Sequence, residues 1–359
     1  MNVDNARKKI DALDMKILEL LNERARSSQA IGKIKRQKGQ GIYAPHRESE
    51  VLERLKALNK GPLTPAAIEA IYREVMSSSI SLEKPVRIAY LGPEFTFTHQ
   101  AAQKKFGASV EYFSCTNISD IFAEVEKGRS DYGVVPVENS TEGAVNYTLD
   151  MFIESPLKIC AELYLPISQH LISNAAAVKS VNQVYSKPEA LAQCRLWLEA
   201  NLPNAKLMPT SSTTAAAKFV ADHPQFKNEI ACVASLLAAK AYDLKVLAPE
   251  IEDGPNNTTR FIVIAKSDAM PTGKDRTSLV FSVKDRVGAL HDILVPFQTA
   301  KINLTKIESR PSKKKAWNYF FFVDFEGHAR ETRAEKALKE LEKHCSFLKV
   351  LGSYPKADF

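Results

Sequence analysis

The sequence predicts three successive domains of different class: an all-α segment, an α/β region and a small α+β module. Three observations predict them. Over residues 4 to about 83 the apolar positions recur with the 3.6-residue period of helices, interrupted by glycine only at Gly39-Gln40-Gly41 and Gly61-Pro62. From Pro85 onward, short β-branched runs alternate with helical stretches. After Met270-Pro-Thr-Gly273, which reads as a linker, strand and helix signals follow in the order βαββαβ. The expected domains are residues 1–84, 86–267 and 276–354.

Composition narrows the function classes. A chain of 359 residues, 45% hydrophobic and 25% charged, can bury two or three ordinary cores of roughly 100–200 residues each. The 49 Lys+Arg against 42 Asp+Glu give a formal charge of +7, too dilute for a nucleic-acid arm and better suited to small anionic partners. Residues 1–84 hold 16 Lys+Arg against 11 Asp+Glu, but some of those cations fall on the apolar stripe, so a nucleic-acid role is disfavoured there too. The five cysteines (Cys115, Cys160, Cys194, Cys232, Cys345) are never spaced C-x-x-C, which suggests neither a disulfide framework nor a zinc cage and fits a reducing compartment. No signal-peptide apolar region and no run of roughly 18 apolar residues is present, so a cytoplasmic protein is expected, with no membrane partner. No G-x-G-x-x-G follows a strand, and no metal or cofactor is expected.

The first predicted helix, residues 4–38, is about 50 Å long at 1.5 Å per residue and cannot bury its stripe within a short domain, so a partner chain is expected. That stripe reads Ile10, Leu13, Ile17, Leu20, Arg24, Ser28, Ile31, Lys35, turning from aliphatic to cationic without changing face. Desolvated cations on a core-facing stripe must meet an anion. Arg7 is rotated about 100° off the face of Arg24, so it could serve only a partner chain's pocket. A second helix opens with His46-Arg47-Glu48 after Pro45, which suits a first helical turn. ARKKIDALD at 6–14, NER at 22–24, GKIK at 32–35 and HRE at 46–48 together resemble the all-helical chorismate mutase domain, an intertwined dimer. The resemblance implies that Arg7 from the partner subunit, Arg24 and Arg47 hold the two carboxylates of chorismate. By the same resemblance Lys35 bonds the ether oxygen, Glu48 the hydroxyl, and Ser79 and Glu83 complete the site. A Claisen rearrangement needs no nucleophile or proton transfer, only a compact conformer and stabilised charge at the breaking C–O bond. Ala44 stands where many relatives have Asp, and Glu83 where some have Gln. To donate a hydrogen bond to the ether oxygen, Glu83 must be protonated.

In the central region residues 86–91, 132–137, 181–185, 230–234 and 261–265 read as buried strands, and polar clusters fall at strand ends, where open α/β sheets place ligands. These clusters are Tyr90-Leu-Gly-Pro-Glu-Phe-Thr-Phe-Thr-His-Gln100, Val134-Val-Pro-Val-Glu-Asn-Ser-Thr-Glu-Gly143, Ser186, Ser211-Ser-Thr-Thr214 and Asn256-Asn-Thr-Thr-Arg-Phe261. Singly each suits a turn or a cap. In order and wording they resemble prephenate dehydratase, over about 86–267, with two α/β lobes and a periplasmic-binding-protein-like cleft. The resemblance implies that Thr259 is the general acid protonating the departing ring hydroxyl, and that Arg260 helps bind a substrate carboxylate. It also implies that Thr96, Glu138, Asn139, Ser140, Thr141, Ser186, Gln193, Ser212, Thr213 and Phe261 line the cleft. Aromatisation drives loss of CO2 and hydroxide, so the protein mainly orients the carboxylate and supplies a proton. Lys187 departs from the His of some relatives.

In the C-terminal module, strand 278–283, helix 288–299, strands 303–309 and 317–325, helix 333–345 and strand 348–353 predict a ferredoxin-like sandwich. Gly288 permits close backbone approach at a helix start whose N–H groups suit a carboxylate. GALHDIL from Gly288 and IESRP from Ile307 resemble the ACT domain over about 276–354. That resemblance implies a phenylalanine site at a domain-pair interface, formed by Gly288, Ala289, Leu290, His291, Glu308, Ser309, Arg310 and Pro311. The expected protein is thus a homodimer or higher homo-oligomer with two activities, chorismate to prephenate and prephenate to phenylpyruvate, inhibited by phenylalanine. The alternative is a non-catalytic amino-acid sensor built from the same modules. Thr259-Arg260-Phe261 beside Glu138-Asn139 weighs against it.

Overall fold

The computed structural model describes residues 2–37, 43–254, 257–283, 286–312 and 319–357. The Gly39-Gln40-Gly41 turn, Lys38, Asn256 and the first two residues of the strand expected from Trp317 lie outside the described residues. The chain divides into two units, Met1–Arg87 with Lys105–Glu111, and Ile88–Lys104 with Tyr112–Phe359.

Three helices build the first unit: α1 (Val3–Gln37), α2 (Pro45–Leu58) and α3 (Pro65–Glu83). Proline opens both α2 and α3, where the missing N–H costs no helical hydrogen bond, and Thr64 caps α3 by accepting from the Ala67 N–H at 3.2 Å. Helices α1 and α2 both pack on α3. The aliphatic half of the α1 stripe stays open within one chain, with Ile10 at 56% and Leu20 at 64% exposure.

After α3 come β1 (Arg87–Leu91), α4 (Phe97–Phe106) and β2 (Glu111–Cys115), all but their residues 87, 105–106 and 111 in the second unit, then α5 (Ile118–Glu126), β3 (Tyr132–Asn139), β4 (Gly143–Ala144), α6 (Asn146–Glu154) and β5 (Lys158–Pro166). The second unit continues through β6 (His170–Ser173), β7 (Gln183–Ser186), α7 (Pro188–Gln193), α8 (Arg195–Asn201), β8 (Lys206–Pro209), α9 (Thr213–Asp222), β9 (Ile230–Ala234), α10 (Leu236–Ala241) and β10 (Lys245–Ala248). Strand β11 (Thr258–Ala265) then returns to the first sheet. That sheet has the order β2-β1-β3-β11-β5, and the second has β10-β6-β9-β7-β8. Because β11 inserts antiparallel between β3 and β5, segments about 120 residues apart in sequence become neighbours.

Two boundaries differ from the sequence reading in a way that matters. Strand β3 runs through Asn139 and β11 starts at Thr258, so Glu138, Asn139, Thr259 and Arg260 are ladder residues rather than loop residues beyond strand ends. Strand β5 has no counterpart in the sequence reading, because Glu162 interrupts its apolar run. Glu162 is nonetheless buried, and two arginines make that tolerable.

The chain closes with β12 (Asp275–Val283), α11 (Ala289–Thr299), β13 (Leu304–Pro311), β14 (Tyr319–Glu326), α12 (Thr332–His344) and β15 (Cys345–Pro355), whose antiparallel sheet has the order β13-β14-β12-β15. Leu279, Phe281, Val323 and Phe325 face the two helices, meeting Ile293, Phe297 and Leu341. Val280, Phe322, Leu351 and Tyr354 face the other way and share one core with Phe122, Phe152 and Ile159 of the first sheet region. Gly352 permits that docking, since a Cβ there would lie 2.1 Å from the Ile159 carbonyl oxygen.

Candidate active sites

In the helical unit, a cavity of about 400 Å³ lies among all three helices. Six of the seven residues expected there line it: Arg24, Lys35, Arg47, Glu48, Ser79 and Glu83. Arg7 does not. Its side chain is 74% exposed and 3.9 Å from Asp4, as its rotation off the Arg24 face requires. Arg24 donates to Ser79 Oγ at 2.7 Å, which aims the guanidinium, and Ser28 donates to Glu83 Oε1 at 2.9 Å. Glu83 Oε2 is buried with no protein hydrogen-bond partner and lies close to Gly32 of α1, where a Cβ would come within 2.6 Å of it. Glu48 lies 3.6 Å from Lys105. Burial raises its carboxyl pKa above the ordinary value, against the opposing pull of Lys105 and the Tyr43 hydroxyl. Arg47 is half-exposed and pairs with Glu50 at 2.9 Å. Ser28, Arg54 and Tyr72 also line the cavity and were not assigned from sequence. Arg54 was legible in principle, since it lies two helical turns after Arg47 and so shares its face.

In the second unit, strand register assembles the polar groups. Asn139 and Thr259 are directly paired residues of β3 and β11, and Asn139 Nδ2 donates to Thr259 Oγ1 at 2.8 Å. The amide orientation is fixed because Asn139 Oδ1 accepts the Thr141 and Glu142 backbone N–H groups at 2.9 and 3.0 Å. Asn139 also donates to Asn257 Oδ1, Asn257 donates to Gln193 Oε1 at 3.1 Å, and Gln193 donates to Glu142 Oε1 at 3.4 Å. A cavity of about 220 Å³ opens beside this relay, lined by Thr141, Glu142, Gln193 and Asn257 among others. Ser140 clamps the same corner by accepting the Thr258 N–H. Asn257 and Glu142 were not singled out from sequence, because only the β11 return reveals their neighbours.

The remaining expected cleft residues do not join the relay. Thr96 donates to the Leu91 and Pro93 carbonyls of its own turn, and Ser186 is fully buried on the Val233 carbonyl. Ser212 caps α9 by accepting the Ala215 N–H, Thr213 begins that helix, and Phe261 is a core ring. Arg260 and Glu138 lie on the face of the β3–β11 pair opposite Thr259 and Asn139, by strand alternation. There Arg260 Nε donates to Glu162 at 2.8 Å, Nη1 to Asp324 at 2.6 Å and Nη2 to Tyr354 at 2.9 Å, while Glu138 Oε2 lies 3.7 Å away. Burial acts to discharge Arg260, but Tyr354, Asp324 and Glu162 outweigh it and hold the guanidinium charged well above the ordinary arginine value. Asp324 is likewise opposed by burial and still held low by Arg260 and Ser278.

Comparison with known proteins matches residues 6–84 to chorismate mutase type II, 88–269 to prephenate dehydratase and 277–343 to the ACT domain. A bifunctional chorismate mutase/prephenate dehydratase of Aquifex aeolicus is 53% identical over 355 residues, covering 98% of this chain and 97% of that one. The chain belongs to the bifunctional chorismate mutase/prephenate dehydratase family. The Escherichia coli member is 33% identical over 97% of this chain and 95% of its own length. A solved structure of prephenate dehydratase from Arthrobacter aurescens in complex with L-Phe superposes with a TM-score of 0.69 at 37% identity, covering 76% of this chain and 91% of that one.

Within the ACT region of this family member, Gly288 caps α11 with φ +81°, a left-handed conformation that favours glycine. Leu290 is half-exposed and Ala289 partly so, while His291 is exposed and 3.2 Å from Asp292. On β13, Glu308 and Arg310 share one face, Ser309 and Pro311 the other, and Arg310 donates to Asp150 on α6 at 3.1 Å. Among the described residues no group of three His, Cys, Asp or Glu could hold a metal, and no helix is long and apolar enough to cross a membrane.

Proposed function

We propose that this chain rearranges chorismate to prephenate in the helical cavity and converts prephenate to phenylpyruvate at the β3–β11 pair, in a cytoplasmic homo-oligomer inhibited by phenylalanine. The working domains are 1–84, 86–267 and 276–354. The observation that carries the reading is the Asn139–Thr259 hydrogen bond, a hydroxyl held by a side chain whose own orientation is fixed.

In the mutase reaction Arg24 and Arg47, with Arg7 of the partner subunit, hold the two carboxylates and so select the compact conformer. Lys35 meets negative charge developing on the ether oxygen, Glu48 takes the hydroxyl, and Glu83 completes the site near Ser79. The exposed stripe of α1 supports an intertwined dimer, because a helix of 35 residues cannot cover Ile10, Leu13, Ile17 and Leu20 by itself.

In the dehydratase reaction the C–C bond to the leaving carboxylate breaks, its electrons enter the ring, and the ring C–O bond breaks. Thr259 delivers the proton that turns departing hydroxide into water. The products are CO2, water and phenylpyruvate, and Thr259 regains its proton from solvent. A donated hydrogen bond from Asn139 stabilises charge on Oγ1 as the proton leaves, which is the activation that a bare threonine lacks.

For the C-terminal region the strand order supports a ferredoxin-like ACT module, and exposed Val287, Leu290 and Ile307 support pairing of two modules around phenylalanine. Supplying purified protein with chorismate and following prephenate and phenylpyruvate, with and without phenylalanine, tests the whole sequence. Thr259→Ser should keep much of the dehydratase rate and Thr259→Ala lose most of it, with mutase activity unchanged. Equal dehydratase rates in wild type and Thr259→Ala would remove Thr259 from the mechanism.

A further inference from the structure

The back of the β3–β11 pair carries a contact that neither reaction uses. Lys306 on β13 places Nζ 2.9 Å from Glu138 Oε2, and both groups belong to the second unit. Lys306 is directly paired with Asp324 of β14 and shares a strand face with Glu308 and Arg310. The same strand face is anchored a second time, by Arg310 on Asp150. One strand of the ACT region is therefore tied at two points to segments that flank Asn139.

We infer that Lys306 is a positioning residue for the dehydratase reaction, acting through Glu138 on the Asn139 amide that holds Thr259. Three carboxylates, Glu138, Glu162 and Asp324, share this cluster with three cations, Arg260, Arg276 and Lys306. Glu162 and Asp324 engage the arginines at 2.6–2.8 Å, which leaves the ammonium of Lys306 as the near counter-ion of Glu138. Its side chain is only 12% exposed, so water replaces it poorly. Without Lys306, Glu138 turns toward Arg260, 3.7 Å away, and competes with Asp324 for Nη1. The β3–β11 ladder shifts register between Arg260 and Phe261, so the Glu138–Arg260 and Asn139–Thr259 pairs lie beyond an irregular point of the ladder, where the side-chain ties add to the strand pairing. Asn139 is the next residue, and its displacement loosens Thr259. A ligand that moves β13 would change the dehydratase rate through the same ammonium.

The inference rests on the dehydratase reading of Thr259 and Asn139. The experiment uses the full-length chain, with prephenate turnover measured against chorismate mutase rate as an internal count of folded enzyme. Lys306→Met should lower dehydratase kcat about tenfold relative to the mutase rate, with KM for prephenate within about twofold. It should also raise the phenylalanine concentration for half-inhibition several-fold, and Lys306→Arg should recover most of both. Glu138→Gln combined with Lys306→Met should lose no more than the worse single variant. If Lys306→Met fails to accumulate folded, Lys306→Gln is read by the same criteria. An unchanged dehydratase-to-mutase ratio, or Lys306→Arg as impaired as Lys306→Met, overturns the inference while Thr259→Ala remains inactive. A fully active Thr259→Ala overturns the site reading and the inference together.

Discussion

Asn139 shows how much one amide can organise. Its oxygen is committed to two backbone N–H groups and its nitrogen divides between Thr259 and Asn257, so no rotation satisfies the same partners. Asn139→Ala should reduce dehydratase kcat by roughly 10²-fold, the scale seen when one preorganised donor is removed, with the mutase rate unchanged in the same preparation. Ser79→Ala tests the other site. It removes the acceptor that aims Arg24, and mutase KM for chorismate should rise about tenfold while dehydratase kinetics stay constant. The cations of the helical cavity were legible because they interrupt an apolar stripe. Asn257 and Glu142 were not, since their roles depend on partners 50 to 120 residues away.

At the scale of elements, alternation decides what each strand residue can do. Thr259 and Arg260 are adjacent in sequence and read as one signature, yet β11 sends one hydroxyl toward the relay and one guanidinium toward Asp324. Residues 258–260 precede the apolar run 261–265 that marks the strand, so periodicity alone does not show this. Docking of β15 against β5 gives a sharp expectation. Gly352→Ala forces a methyl group into the Ile159 backbone and should destabilise the folded chain by about 1–3 kcal/mol, seen as a lower thermal midpoint. Two histidines set an acid limit. Burial lowers the pKa of His99 and of His170, and each Nδ1 accepts a backbone N–H, from Phe95 at 2.9 Å and Glu250 at 3.1 Å. A depressed folded pKa means the unfolded chain binds protons first. Their stabilising share is thus complete above the ordinary value of about 6.5 and is lost as pH falls through the lower folded values. Thermal midpoints at pH 7.5 and 5.5 should differ less in His170→Gln than in wild type.

For the whole molecule, the unburied α1 stripe predicts association. Leu13→Glu with Ile17→Lys should shift sedimentation toward the monomer and abolish mutase activity if, as proposed, Arg7 of the partner subunit completes that site; prephenate turnover should persist. Three modules, a helical stripe with its misplaced cations and the motifs naming both chemistries are all legible along the chain. These are local in character, set by period, composition and short words along the chain. It takes the folded chain to turn Glu138 and Arg260 from Thr259 toward the C-terminal sheet, and to bring Asn257 and Gln193 into its hydrogen-bonded relay. The reason is that strand register and the return of β11 bring together residues whose separation in sequence carries no signal of contact.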